Sequence, residues 1–386
     1  MKPQGFKNRK NNRLNLRIRA NARTLLAQPP AKPIGRLKIS AIRSIEDFDY
    51  ARLEDITTKL PEITSFENNY YEEAAEVWPI KSLDRGITAL DENASEKAIL
   101  AWCLNVLDRS ETARNLIDEA KKMGWKIGLD DLETHDFHLD VPAQTLYINN
   151  NCLRASAIAR SNHFINAAMV SIIRGLRDIW QEKRHGGFED HYGPENVLLL
   201  ERIRSADLDV LATIIAWDLK FKGYPEIWRH ILASENGDIA MTYQNVLERQ
   251  SMMELGADAK VAAFHQWFES DERVNECDHE TLDYLDNLVG ITKENLGTRR
   301  PTEIGVEILS CLPDRTAYLK GWGYEIMHDP HYSGLKDEIN QSHLMQILSD
   351  LHVTFAGGVA FRDQKLAKMM FPEGELGNDD GAETIH

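Results

Sequence analysis

Apolar residues recur at helical spacing along most of the chain. SEKAILAWCLNVLD (95–108) and SETARNLIDEAKKMG (110–124) each carry an apolar stripe; Ser110 with Thr112 opens the second and Gly124 closes it, which predicts a helical hairpin with a short turn. The same periodicity marks 45–60 and 66–77, then about 160–185, 194–222, 225–233, 237–252 and 256–270, with further helices to about 370. Residues 125–149 depart from it. There WKIGLDD, HDFHLDV and QTLYINN alternate over a few positions each, which suits short strands. No internal repeat is visible. The expected fold is therefore α+β and predominantly helical, with a small sheet followed directly by a long helix.

Punctuation and charge divide the chain further. The paired prolines of QPPAKPIG stop helices and favour extended chain, so residues 1–38 read as a basic flexible arm with a Pro-rich linker. A helical extension follows at 39–90, the main domain at 91–372, and an acidic flexible tail at 373–386. The net charge of -16 is unevenly spread: twelve of the 45 Lys and Arg lie in residues 1–45, where no acid precedes Glu46. Such an arm could contact an anionic partner or fold back on the acidic body, and it is also similar to an Arg-rich transit peptide. The acidic remainder makes nucleic acid an unsuitable principal ligand.

No apolar run reaches the roughly 20 residues of a membrane span, and the N-terminus lacks the apolar stretch of a secretory signal. A cytoplasmic protein is expected. Cys103, Cys152, Cys277 and Cys311 are far apart and form no C-x-x-C pair, so they read as buried apolar residues in a reducing compartment. Walker A, G-x-G-x-x-G and G-x-S-x-G patterns are absent, and the His135/His138 and His328/His331 pairs lack an evident third ligand.

A strand reading TLYINNN followed by a long helix is the order in which zinc metallopeptidases of the H-E-x-x-H type present their site. Two imidazoles at i and i+4 share a helix face and one zinc, the intervening Glu activates water, and a later helix supplies a third ligand. Residues from about 95 to 320 resemble a bacterial family of putative metallopeptidases, zincin-like at the core, that carries H-E-L-R-H-A-W-Q and later E-R-A-x-E-A-D-A. Here stand Tyr147-Ile148-Asn149, then Arg174-Gly175-Leu176-Arg177-Asp178-Ile179-Trp180-Gln181, then Glu201-Arg202-Ile203-Arg204-Ser205-Ala206-Asp207-Leu208. Leu176, Arg177, Trp180, Gln181, Glu201, Arg202, Ala206 and Asp207 fit, and Pro313-Asp314-Arg315 with Tyr318-Leu319 matches a further short pattern.

The positions that carry the family's chemistry do not fit. The resemblance puts Arg174 and Asp178 where the two His belong, Gly175 in place of the general base, and Ser205 in place of the third ligand. A guanidinium cannot ligate a cation. A helical wheel places Ala167, Val170, Ser171, Arg174 and Asp178 opposite an apolar stripe, and Glu201, Ser205 and Asp209 share a face of the later helix. Arg174 with Asp178, Glu201 or Asp209 is then expected to form a salt-bridge cluster in the metal's place. The same residues would also serve an ordinary amphipathic helix.

These readings converge on a catalytically inactive metallopeptidase-like protein with a binding or regulatory role, holding a peptide or protein in the vestigial cleft by strand addition to Thr145–Asn149. No cofactor is expected. One rival is an active metal-dependent hydrolase, with zinc on a shifted set of Asp178, His185, His191 and Glu201; another is a structural helical protein docked through its basic arm.

Overall fold

The computed structural model describes residues 75–351, apart from short breaks at 84–85, 87–88, 91–93, 133–134, 151–161, 250–256 and 293–295, together with three short strands at 18–19, 354–356 and 359–361. The expectations for the basic arm as a flexible segment, for helices at 45–60 and 66–74, and for the acidic tail lie outside the described residues. The chain divides into two units, 1–22 with 76–386 and 23–75, and every element named here belongs to the first.

Helices α1 (Glu96–Leu107) and α2 (Glu111–Lys122) form the expected hairpin. The Ser95 hydroxyl accepts from the Ala98 amide at 3.3 Å, and Gly124 takes φ +81°, the left-handed conformation that ends a helix. Ser110 holds the N-cap position of α2, but its hydroxyl makes no capping bond.

Strand β1 is Ile18–Arg19 and β2 is Val77–Pro79. β3 (Lys126–Asp130), β4 (Phe137–Asp140) and β5 (Thr145–Asn149) complete the sheet, in the spatial order β1-β4-β5-β3-β2. Two features depart from expectation. Val77–Pro79, inside the span read as a helical extension, is a strand antiparallel to β3. Thr145–Asn149 lies inside the sheet, parallel to β3 and antiparallel to β4. Its backbone groups are already paired, so it cannot accept a peptide as an added strand. At the β4 edge the added strand is the chain's own Ile18–Arg19.

Helix α3 (Asn162–His185) runs across the sheet and packs against α4 (Pro194–Phe221). Around them lie α5 (Pro225–Leu232), α6 (Gly237–Arg249), α7 (Ala257–Phe268) and α8 (Asp271–Thr292). The shorter α9 (Glu303–Leu309), α10 (Gly323–His328) and α11 (Pro330–Ser333) lead to α12 (Glu338–Asp350). Strands β6 (Thr354–Ala356) and β7 (Val359–Phe361) then pair antiparallel, where the sequence reading had continued helices. The fold is α+β and mainly helical. Among the described residues no helix is long and apolar enough to cross a membrane.

One apolar core runs through these elements, from Leu100 and Phe137 to Leu211, Phe264 and Ile347. α3 and α4 sit so deep in it that residues 171–181 of α3 are buried all round, as are Glu201, Arg202, Arg204, Asp207 and Asp209 of α4. The wheel's polar face of α3 is thus turned to a neighbouring helix. Charges placed there must find partners, because an unpaired buried ion costs several kcal/mol or about that order.

Candidate functional site

Arg174 lies on the face of α3 that meets α4. Its Nε is 3.0 Å from Oδ1 of Asp209, and its Nη1 donates to Asp136, just before β4, at 3.3 Å. Both Arg174 and Asp209 are buried. The other Asp209 oxygen accepts from the Trp267 indole of α7 at 3.0 Å, and the guanidinium lies 5.8 Å from the Phe137 ring centre. Burial opposes the Arg174 charge, but Asp209, Asp136, Glu235 and Glu280 outweigh it and raise its pKa. Burial raises the Asp136 carboxyl, with Arg174 pulling it down and Asp209 adding to the rise.

Gly175 faces the sheet. A Cβ there would stand 2.5 Å from Cδ1 and 2.9 Å from Cδ2 of Leu146, a β5 residue that is fully buried. The glycine lets α3 approach the sheet closely. A glutamate at this position would point into packed side chains.

Asp178 is held by Arg204 of α4, whose Nε donates to Oδ1 at 2.9 Å. Arg204 also donates to Glu182 at 3.3 Å and to the Gly186 carbonyl at 3.3 Å, lies 4.0 Å from Glu201, and passes 5.6 Å from the Phe188 ring centre. Ser205 Oγ is 3.5 Å from Cys277 Sγ on α8.

The three carboxylates expected around Arg174 therefore divide between two arginines. Arg174 takes Asp209, whereas Arg204 gathers Asp178 and Glu201. Sequence reasoning missed Arg204 as an ion-pair centre and Asp136 as a second partner for Arg174. The signal for Arg204 was a second arginine, two residues after Arg202, within a helix rich in apolar residues.

The shifted set is not brought together. Among the described residues, the only group of three or more His, Cys, Asp or Glu with donor atoms within 4.8 Å of one another is His279, Asp283 and His343. His185 sits instead among guanidiniums: burial, then Arg204, Arg177 and Arg184, depress its pKa to about 4. Cationic surroundings repel a dication. His191 is exposed on the loop before α4. His138 stacks on Tyr147, and His328 Nδ1 lies 2.8 Å from the Tyr324 carbonyl.

Two further arginine centres brace the same helices. Arg177 donates to both oxygens of Asp207, at 2.7 and 3.2 Å; the Tyr318 hydroxyl donates to Asp207 at 2.8 Å, and Gln181 donates to it as well. Burial, then the Asp207 charge, pushes the Tyr318 phenol well above its usual range. Arg202 donates to both oxygens of Asp278 on α8, at 2.5 and 2.7 Å, and to the carbonyls of Tyr332 and Gly334, at 2.7 and 3.0 Å.

This region has a relative. Residues 153–319 match the family model described as the Putative metallopeptidase family (DUF6782). The resemblance read from the sequence is thereby shown for that span, which contains α3, α4 and the arginine centres. Neither a curated protein nor a solved structure matches the chain. The zinc that such a family name implies does not fit the residues at positions 174, 175, 178 and 205. A guanidinium bound by two carboxylates stands at the first, packing closes the second, and the carboxylate at the third is bound by Arg204.

Proposed function

We propose that the protein is a catalytically inactive relative of metallopeptidases that works by binding a peptide or protein partner rather than by cutting it. One observation carries the reading: Arg174 sits in a buried ion pair with Asp209, reinforced by Asp136, where the resemblance puts the first zinc ligand. The pair joins α3 to α4 as a shared metal ion would. It leaves no imidazole to hold zinc and no general base at position 175 to activate water.

The active-hydrolase rival needs a metal on Asp178, His185, His191 and Glu201, and His185 lies among three guanidiniums. The partner is expected to engage the protein outside the interior strand Thr145–Asn149.

The test is incubation of the zinc-supplemented full-length protein with a mixed peptide library, with retained and released peptides read by mass spectrometry. Retention of intact peptides, equal with and without a chelator, is expected. Chelator-sensitive cleavage that disappears in His191→Ala would overturn the reading in favour of the shifted site.

A further inference from the structure

The group formed by His279, Asp283 and His343 shares no residue with the site above. α8 carries His279, Asp283 and Asp286, at i, i+4 and i+7, so all three lie along one helix face. α12 packs against that helix and supplies His343, one turn beyond Asn340, whose side-chain amide donates to the Asn275 carbonyl of α8 at 2.9 Å. The three side chains converge from two helices without a hydrogen bond among them. His279 Nε2 is 3.5 Å from Asp283 Oδ2, and His343 Nδ1 is 3.8 Å from Asp283 Oδ1.

Those separations are informative. An imidazole bonded directly to a carboxylate sits about 2.7–3.2 Å away. Ligand atoms sharing one tetrahedral zinc, with bonds of about 2.0–2.1 Å, lie roughly 3.3 Å apart along each edge. The observed spacings are closer to the second case, and all the donor atoms fall within 4.8 Å of one another. The second nitrogen of His343, Nε2, is 3.7 Å from Asp286 Oδ2. A carboxylate there is what orients a metal-bound imidazole and fixes its tautomer. His279 and Asp283 are more than half exposed, so an ion has free access and a water can complete the shell. The strongly acidic sequence of α8 favours a cation at this surface.

We propose that His279, Asp283 and His343 bind one zinc ion that clips α12 to α8, with Asp286 orienting His343. Imidazole and carboxylate donors with an open fourth position suit zinc, and no thiolate is involved. The site is independent of the arginine-filled motif, and its ligands come from outside the α3–α4 pair.

The full-length protein, stripped with a chelator, is titrated with zinc alone and followed by calorimetry and elemental analysis; cobalt replaces zinc for visible spectroscopy. Expected results are saturation at one zinc per chain, a tetrahedral cobalt spectrum, and a higher Tm with zinc than without it. His279→Ala and His343→Ala should each abolish saturable binding. Asp286→Asn should weaken it by about 10-fold or more while keeping the stoichiometry, and His191→Ala should change nothing. His279 is an exposed side chain, so its variant keeps the inference testable if His343→Ala fails to fold. Zinc binding that survives in His279→Ala, or no saturable binding in the wild type, overturns the proposal. Loss of zinc in His191→Ala overturns it too, and would revive the shifted hydrolase site; peptide cleavage with this zinc bound would count against the inactive reading alone.

Discussion

Replacing Arg174 by Met removes the positive charge and keeps most of the side-chain volume. Asp209 then remains buried, with the Trp267 indole still donating to it, and Asp136 loses the Arg174 charge that pulls its pKa down. Breaking a buried ion pair from one side costs about 3–5 kcal/mol. Total stabilities run to about 5–15 kcal/mol, so the loss is a large share. For a body of this size it corresponds to a Tm lower by roughly 10 °C, taking about 2–4 °C per kcal/mol. Urea unfolding at pH 7, followed by circular dichroism, measures it.

The loss should shrink on acidification. Asp136 already has a raised pKa in the folded protein, from burial, and removing Arg174 raises it further. A carboxyl whose folded pKa exceeds its unfolded value binds more protons when folded, so its ionisation lowers stability as pH rises through the folded value, and that penalty is relieved as pH falls toward 3.8. The gap between wild type and Arg174→Met should therefore be smaller at pH 5 than at pH 7. Adding Asp209→Asn removes the stranded charge and keeps an acceptor for Trp267. The double variant should regain about 0.5–3 kcal/mol, the usual range for coupled neighbours. A neutral Arg174→Met, or strictly additive single variants, would refute the reasoning.

Two further predictions test the surroundings. Gly175→Ala should lose about 1–3 kcal/mol from overpacking against Leu146, and Leu146→Val, which removes the clashing methyls, should restore most of it; a stable single variant under urea would show that the helix is not pressed against the sheet. Burial and the neighbouring guanidiniums push the His185 imidazole down to about 4, below its ordinary 6.5, so the stability it contributes is present above pH 6.5 and is lost as pH falls through that window. His185→Gln should therefore unfold less steeply than wild type between those pH values, and an unchanged slope in acid titration would reject the assigned environment.

Much of the fold was legible because its helices bury a stripe or a whole circumference of apolar residues, and that pattern survives in a single sequence. The limits of α3, α4, α5 and α7 fall within a few residues of those read from periodicity. Strand order was not legible, since TLYIN alternates in the same way at an edge or in the interior; its parallel pairing with β3 depends on where the chain goes between them. The β6–β7 hairpin was missed although Gly357-Gly358 stands between two β-prone triplets, a usual hairpin signature. At the site, one helix could suggest that Arg174 needed a carboxylate. It could not show Asp136, 38 residues away, or that Arg204 would take Asp178 first. His279 and Asp283 stand at i, i+4, a spacing the sequence reading passed over, and nothing in the sequence places His343 on α12 beside them.

The four arginine centres of α3 and α4 also suggest why framing residues and motif residues should behave differently. Arg177 and Asp207 each satisfy several partners at once, with Gln181 and Tyr318 donating to the same carboxylate. Arg202 likewise binds Asp278 and two backbone carbonyls. Such a network cannot lose one member without stranding the rest in a medium that screens poorly, so its residues are held as a set. Arg177, Gln181, Arg202, Asp207 and Tyr318 of these networks are among the residues in which the chain fits the pattern it resembles. On the function proposed above, the position where the resemblance puts a metal has a different constraint: with no ligand needed, any group that supplies a compatible charge and fills the space keeps the two helices together. Arg174 with Asp209 does so from α3 to α4, and Arg204 with Asp178 does so a second time in the opposite sense, a basic residue now on α4 and an acid on α3. Two crossed ion pairs fix the register of the helices as well as their separation, because a slip of one turn along either helix would bring each arginine away from its carboxylate.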